Sequence, residues 1–272
     1  MNEHLAGKAN VLVIAGHDPS GGAGIHADIE TIHSLGGFAS TLITGLTVQN
    51  SVNVQGFSLT DVDMLRRQAD ALLADYTYSA IKIGMTGSPA IIRFIGEVLD
   101  QLPGVPLVLD PVLAAEAGGS LGEEAVPQAL IHELFPRAVL VTPNLPEAQR
   151  LTGHGTSDTS KAGSSSTESI DLCGEALLNA GCLSALITGT HDDTEAVENH
   201  LFMRSGVIRR QWPRLPGSFH GSGCTLASAC AARLALGDSL EQANNHAQEY
   251  VYRCLEKAWQ AGNGQLIPDR RS

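Results

Sequence analysis

Asn10-Val11-Leu12-Val13-Ile14-Ala15 runs directly into Gly16-His17-Asp18-Pro19-Ser20-Gly21-Gly22-Ala23-Gly24, and a helix is expected to begin near Ile25. The first segment is apolar almost throughout, as a strand covered on both faces must be. Further apolar runs of strand length lie at residues 40–44, 80–84, 106–110, 138–142 and 184–188. Between them Val62, Leu65, Ala69, Leu72 and Leu73 keep a helical spacing, as do Val126, Leu130, Ile131, Leu134 and Phe135. This alternation predicts an α/β fold: a three-layer, doubly wound, mostly parallel sheet with helices on both faces. In such sheets ligands sit beyond the carboxyl ends of the strands. The unusual residues of this chain follow its strands directly, at 16–24, 49–50, 110–111, 144–147 and 188–190.

The rest of the chain fits one domain spanning residues 1–272. Residues 152–169 are rich in Ser, Thr and Gly and are read as a mobile surface loop. Helix resumes at 172–180, residues 199–214 suit a hairpin, and helices at 224–236 and 240–259 follow.

Composition narrows the function. A 43% hydrophobic share with 17% charged residues supplies a large core. Seventeen basic against twenty-nine acidic residues give a net charge of −12, the wrong sign for gripping a nucleic-acid backbone. The first apolar run, 11–15, is too short to cross a bilayer, and residues 1–10 lack a signal pattern. Five cysteines without CxxC spacing support neither a disulfide framework nor a zinc site. Ten histidines form no HxH or HExxH. A cytoplasmic protein is expected.

Gly221-Ser222-Gly223-Cys224-Thr225 before the apolar helix 226–236 is the strongest local feature. Glycines at a helix start let backbone N–H groups converge on an anion, which the helix dipole favours. The same field should depress the pKa of Cys224. No Lys follows the second glycine, so this is not a Walker A loop. An ordinary glycine-rich loop with a buried Cys is the plain alternative. The segment 16–24 lacks GxGxxG, which removes the dinucleotide fingerprint. Its glycines admit a substrate to the backbone, and Asp28 offers an acceptor or is simply a dipole-favoured residue of a first turn. Asn144 and Glu147 read as an N-cap with its capping-box partner. With Asp110 they also make oxygen donors suited to Mg²⁺, and the two roles are compatible. His220 abuts the anion cradle.

Together these segments resemble the hydroxymethylpyrimidine/phosphomethylpyrimidine kinases of thiamine biosynthesis, within the ribokinase-like superfamily. The resemblance rests on residues 15–25 with Ala27-Asp28, on Leu46-Thr47-Val48-Gln49-Asn50, Lys82-Ile83-Gly84-Met85 and Asp110-Pro111-Val112, and on residues 142–148 and 220–226. It implies ATP and Mg²⁺ as cofactors, a homodimer, and phosphorylation of 4-amino-5-hydroxymethyl-2-methylpyrimidine and then its monophosphate. Gln49 would read the ring, with Gly16 and Asp28 near the hydroxymethyl end and Met85 packing the pocket. Glu147 and Asp110 would serve the metal. Thr188, Gly189, Gly221, Ser222, Gly223 and Thr225 would hold the nucleotide phosphates, and Cys224 would be the catalytic base. Two departures remove positive charge: Glu116 or its neighbours, and Thr188-Gly189-Thr190, stand where many members carry Lys. The rival readings are a pyridoxal kinase of the same superfamily and a catalytically idle vitamin-binding protein.

Overall fold

The computed structural model describes residues 9–113, 121–154, 166–189 and 196–271. The first strand, β1 (Asn10–His17), lies inside a sheet, and its successive side chains point to opposite faces. Leu12 and Ile14 join one apolar core, while Val11, Val13 and Ala15 join another. That is why the strand is apolar at nearly every position. Helix α1 (Gly24–Ser34) returns the chain to β2 (Phe38–Gln49), which pairs with β1 in parallel and folds back antiparallel as β3 (Val54–Leu59).

After α2 (Val62–Asp75) the chain crosses to the other side of β1. There it lays down β4 (Ala80–Ile83), α3 (Pro89–Asp100), β5 (Leu107–Leu109) and α4 (Val126–Ala129). Next come β6 (Leu140–Val141), α5 (Leu145–Thr152), α6 (Ser166–Asn179) and β7 (Ser184–Thr188). Two antiparallel strands, β8 (Ala196–Met203) and β9 (Gly206–Pro213), extend the sheet before α7 (Ser222–Ala235) and α8 (Leu240–Glu256). The nine strands lie in the order β3-β2-β1-β4-β5-β6-β7-β8-β9, with parallel pairing from β2 through β7. The order reverses between β1 and β4, so a crevice opens beyond their carboxyl ends.

Residues of α1, α7 and α8 fill the core on one face, and residues of α2, α3, α4, α5 and α6 fill the core on the other. The expected doubly wound sheet is present, with several boundaries moved. β2 runs through Gln49 instead of ending at 44, because its outer half pairs with β3. β3 alternates half-buried and exposed residues at an edge and carries no apolar run to announce it. The helix expected over 126–135 is one turn of α4, a π-helical turn at Leu130–Leu134 and a 3-10 turn at Phe135–Arg137. Pro136 removes an N–H that a continuing α-helix would need. The expected loop at 152–169 is shorter on its later side, since α6 begins at Ser166; residues 155–165, like Glu116 and Thr190, lie outside the described residues. Among the described residues no helix is long and apolar enough to cross a membrane.

Asp61 caps α2, its side chain accepting from the Met64 amide at 3.1 Å. Asp61→Ala should cost about 1 kcal/mol in urea unfolding with no change in denaturant slope. A loss below a few tenths would mean that water serves the exposed amide equally well.

Candidate active site

A cavity of about 420 Å³ opens where the strand order reverses. Gly16, Gln49, Met85, Asp110, Glu147, Thr188, Gly221, Ser222, Gly223 and Cys224 all line it. Residues 208 apart in sequence, Gly16 and Cys224, thus meet on one surface. Asp28, Gly189 and Thr225 are placed differently. Asp28 is fully buried behind Lys82, the Gly189 amide donates to Asn199 Oδ1 at 3.3 Å, and the buried Thr225 hydroxyl donates to the Gly221 carbonyl at 2.8 Å. None of the three reaches the cavity wall, so the expected direct contacts of Asp28, Gly189 and Thr225 are corrected to supporting ones.

The acceptor end is built from strand ends. Gly16 stands on β1 where a Cβ would meet Met85 Sδ at 2.7 Å, so a glycine there lets the thioether pack against the backbone. Met85 is held in turn by its carbonyl, which accepts from Thr44 Oγ1 at 2.6 Å. Thr47 Oγ1 donates to the His17 carbonyl at 2.9 Å and fixes β2, with Gln49 at its end, against the loop after β1.

The loop 17–24 is organised by Asp18. Its carboxylate accepts from the Ser20 amide at 2.8 Å, Ser20 Oγ at 2.9 Å and the Ala23 amide at 2.9 Å. His220 Nε2 donates to Asp18 Oδ2 at 2.8 Å. Burial works to raise the Asp18 pKa, but the hydrogen bonds from His220 and Ser20 outweigh it and hold the carboxyl below its usual range. This pair joins the loop after β1 to the residue before the glycine turn.

At that turn Gly221 has φ +74°, a left-handed conformation that an L side chain rarely adopts. Helix α7 starts one residue later, so the N–H groups of its first turn lie beside Ser222, Gly223 and Cys224 on the cavity wall. The expected depressed thiol is not what results. Burial pushes the Cys224 thiol up, with Asp110 and Asp28 adding to the rise; Lys82 and the Gly24 amide only partly oppose it. Burial and the two carboxylates keep the thiol protonated at neutral pH.

Lys82 is the functional residue that the sequence reading quoted without a role. It is 0% exposed at the cavity floor, with Nζ 2.8 Å from Asp28 Oδ1 and 4.0 Å from Asp110 Oδ2. Ser228 Oγ donates to the same Asp28 oxygen at 2.6 Å. Burial alone would lower the Lys82 pKa; Asp28 first and Asp110 after it outweigh it, and the ammonium stays charged. An isolated Lys in an apolar strand gave no local signal, since its partner stands 54 residues earlier.

Glu147 completes the expected capping box. Its Oε2 accepts from the Asn144 amide at 3.0 Å and its amide donates to Asn144 Oδ1 at 2.9 Å, while Leu113 N–H donates to Oε1 at 3.3 Å. The capped carboxylate still lines the cavity, as does Asp110. At the far end, Trp212 and Tyr252 stack with ring centroids 4.9 Å apart beside Val197, Val251 and Leu255. Gln248 Oε1 accepts from both Trp212 Nε1, at 2.9 Å, and Asn199 Nδ2, at 3.0 Å. Sequence reasoning missed this chain of contacts, because polar residues of β8, β9 and α8 carry no motif of their own.

A helix start after a glycine turn, facing a largely apolar cleft at the switch point of a doubly wound sheet, fits a small-molecule site of the phosphotransferase type. Residues 18–269 match the family model described as phosphomethylpyrimidine kinase, and the chain belongs to that family. It is 34% identical over 256 residues to a hydroxymethylpyrimidine/phosphomethylpyrimidine kinase of Staphylococcus aureus, covering 93% of this chain and 90% of that one. It is 36% identical over 258 residues to the thiamine biosynthesis bifunctional protein ThiED of Geobacter sulfurreducens, covering 94% of this chain but only 51% of that longer protein. Among solved structures, the pyridoxal kinase of Staphylococcus aureus in complex with AMP-PCP and pyridoxal superposes with a TM-score of 0.88 at 27% identity. That match covers 98% of this chain and 94% of the other.

Lys82→Met should cost about 3–5 kcal/mol, since it strands the Asp28 carboxylate in the interior. The double variant Lys82→Met with Asp28→Asn should recover at least half of that in equilibrium unfolding. Equal losses in the single and double variants would show that the pair contributes by packing alone.

Proposed function

We propose that this chain is an ATP-dependent kinase that phosphorylates 4-amino-5-hydroxymethyl-2-methylpyrimidine and then its monophosphate. The observation that carries the reading is the meeting of Gln49, Met85 and Gly16 with the Gly221–Cys224 turn in one cavity. The 4-amino group and ring nitrogens suit the Gln49 side chain, and Met85 supplies an apolar wall. The stacked Trp212 and Tyr252 with Val251 and Leu255 suit the nucleoside end of ATP. In this pose the γ-phosphoryl group lies at the start of α7, where fixed N–H dipoles favour its charge without reorganising.

Mg²⁺ fits the donor set: two carboxylates, Asp110 and Glu147, line the wall shared with the glycine turn, and hard oxygen donors hold this ion together with nucleotide phosphates. When bound, the ion neutralises charge on the transferring group. The chain's own residues do the rest. Gln49 and Met85 orient the alcohol, and Lys82 stays a fixed cation beneath the reacting atoms. Cys224 Sγ, as the thiolate, receives the hydroxyl proton as the hydroxyl oxygen bonds the γ-phosphorus and the bond from that phosphorus to the departing ADP breaks. In a loose transition state that proton leaves late, so a thiol of raised pKa suits the task once a small thiolate fraction is present.

For the second step, Arg214 lines the cavity and supplies a cation that Thr188 lacks. Exposed Leu46, Val48 and Val52 on the β2–β3 ribbon suit a homodimer. Five free cysteines suit a reducing cytoplasm. The pyridoxal kinase reading is favoured by the superposition with that enzyme. The idle-protein reading has nothing comparable, since both Cys224 and the carboxylates remain in place.

ATP consumption with Mg²⁺ and the free pyrimidine, its monophosphate or pyridoxal tests the proposal. Turnover on both pyrimidines is expected; preference for pyridoxal, or no turnover at all, would overturn it. Cys224→Ala should lower kcat by at least about 10²-fold. Because the thiol is shifted upward, kcat/KM should still be climbing past about pH 8.5, the usual thiol value. A plateau below that pH, or a near-normal rate in Cys224→Ala, would remove the thiol from the proton transfer.

A further inference from the structure

Residues 264–270 run back from α8 along the side of the cavity. The Gly264 amide donates to Ser51 Oγ at 3.1 Å and the Gln265 amide to the Ser51 carbonyl at 2.9 Å, two residues beyond Gln49. The His220 amide then donates to the Leu266 carbonyl at 2.8 Å, and the Leu266 amide to the Ser218 carbonyl at 2.9 Å. The segment ends its crossing at Arg270, which is 1% exposed, and arginine is almost never this buried unless every donor is used.

The Arg270 guanidinium lies between the two loops that make the reaction site. Its Nε donates to Thr225 Oγ1 at 2.9 Å; Thr225 in turn bonds the Gly221 carbonyl, so this contact supports the glycine turn from behind. Nη2 donates to the Gly22 carbonyl, and Nη1 reaches the Gly21 carbonyl at 3.4 Å and Glu30 Oε2 at 3.1 Å. The backbone of Arg270 is itself anchored, its carbonyl accepting from the buried Tyr250 hydroxyl at 2.6 Å. One rigid planar cation thus spans the acceptor loop, which holds the alcohol, and the anion turn, which holds the phosphoryl group. Lysine has one point charge and no planar fork to do the same.

We propose that Arg270 is a positioning residue for phosphoryl transfer, setting the distance between the loop at 17–24 and the turn at 221–225. The inference rests on the kinase reading above and adds a residue that touches neither substrate. A displacement of about 1 Å between reacting groups is enough to cost on the order of 10²-fold in rate.

The test uses the full chain with Arg270→Ala, with folding checked by urea unfolding and AMP-PCP binding measured by calorimetry. Expected are a kcat lowered on the order of 10²-fold, weakened AMP-PCP binding, and recovery of most of both losses in millimolar guanidinium but not ammonium. Arg270→Lys should stay as impaired as Arg270→Ala. A folded Arg270→Ala with kcat and AMP-PCP affinity near those of the parent would overturn the proposal. So would a loss that guanidinium leaves unchanged. If Arg270→Ala does not fold, Thr225→Val carries the test: it removes the acceptor hydroxyl and nearly keeps the shape. Lowered kcat with weakened AMP-PCP binding in the folded protein supports the role, and parent-like values overturn it. A parent that binds AMP-PCP yet phosphorylates none of the three acceptors would sink the kinase reading alone. The binding and guanidinium measurements then still decide the role of Arg270.

Discussion

Gly22 and Gly221 lie so close that a Cβ on Gly221 would run into the Gly22 carbonyl, and one on Gly22 would run into the His220 ring. Two backbones drawn from opposite ends of the chain touch where only hydrogen fits between them. The whole reaction site depends on that approach. It places the loop after β1, proposed to serve the acceptor, against the start of α7, proposed to serve an anion. The rest of the fold brings the contact about: β1 sits inside the sheet where the strand order reverses, and α7 packs over the same face as α1.

Charge is handled locally in a chain whose net value is −12. The anion turn uses neutral amides, and the cations are few and committed. Lys82 is tied to Asp28 and Asp110 at the floor, and Arg270 to Glu30 and three backbone or hydroxyl acceptors behind the turn. Buried ions of this kind add little to stability as pairs, yet losing one partner is costly. The arrangement therefore specifies geometry more than it strengthens the fold. The same neighbours explain the protonated Cys224: two carboxylates and burial outweigh one ammonium and one amide. A reading from the helix dipole alone took the sign of that shift the other way.

The pyrimidine and pyridoxal readings share this machinery and differ only at the acceptor wall. Sequence relatives at 34–36% identity are named as a hydroxymethylpyrimidine/phosphomethylpyrimidine kinase and a thiamine biosynthesis bifunctional protein, whereas the superposition at TM-score 0.88 and 27% identity is to a pyridoxal kinase. Both observations are compatible, because sheet geometry changes more slowly than the few side chains that read a ring. Gln49 and Met85 are the side chains proposed for that task, and Thr44 and Thr47 on β2 bond the Met85 and His17 carbonyls beside them.

Much was legible without coordinates. Continuous apolar runs with glycine-rich ends specify a strand buried on both faces, and their order specified the doubly wound sheet. Ordered motifs also marked most of the cavity wall, from Gly16 to Cys224. What escaped reading was everything that depends on distance through space. β3 is an edge strand whose alternation is weak. Asp28 has the same sequence context whether it faces a ligand or a lysine, and only packing put Lys82 between them. The Asp18–His220 contact joins residues 202 apart, and the Arg270 contacts to Gly21 and Gly22 span nearly the whole chain. Local propensity and periodicity act over a few residues, so the sequence by itself determined which elements form and which loops carry chemistry. Tertiary structure alone decided which side chains reach the cavity and which stand behind it, because burial and hydrogen-bond partners exist only once distant elements pack.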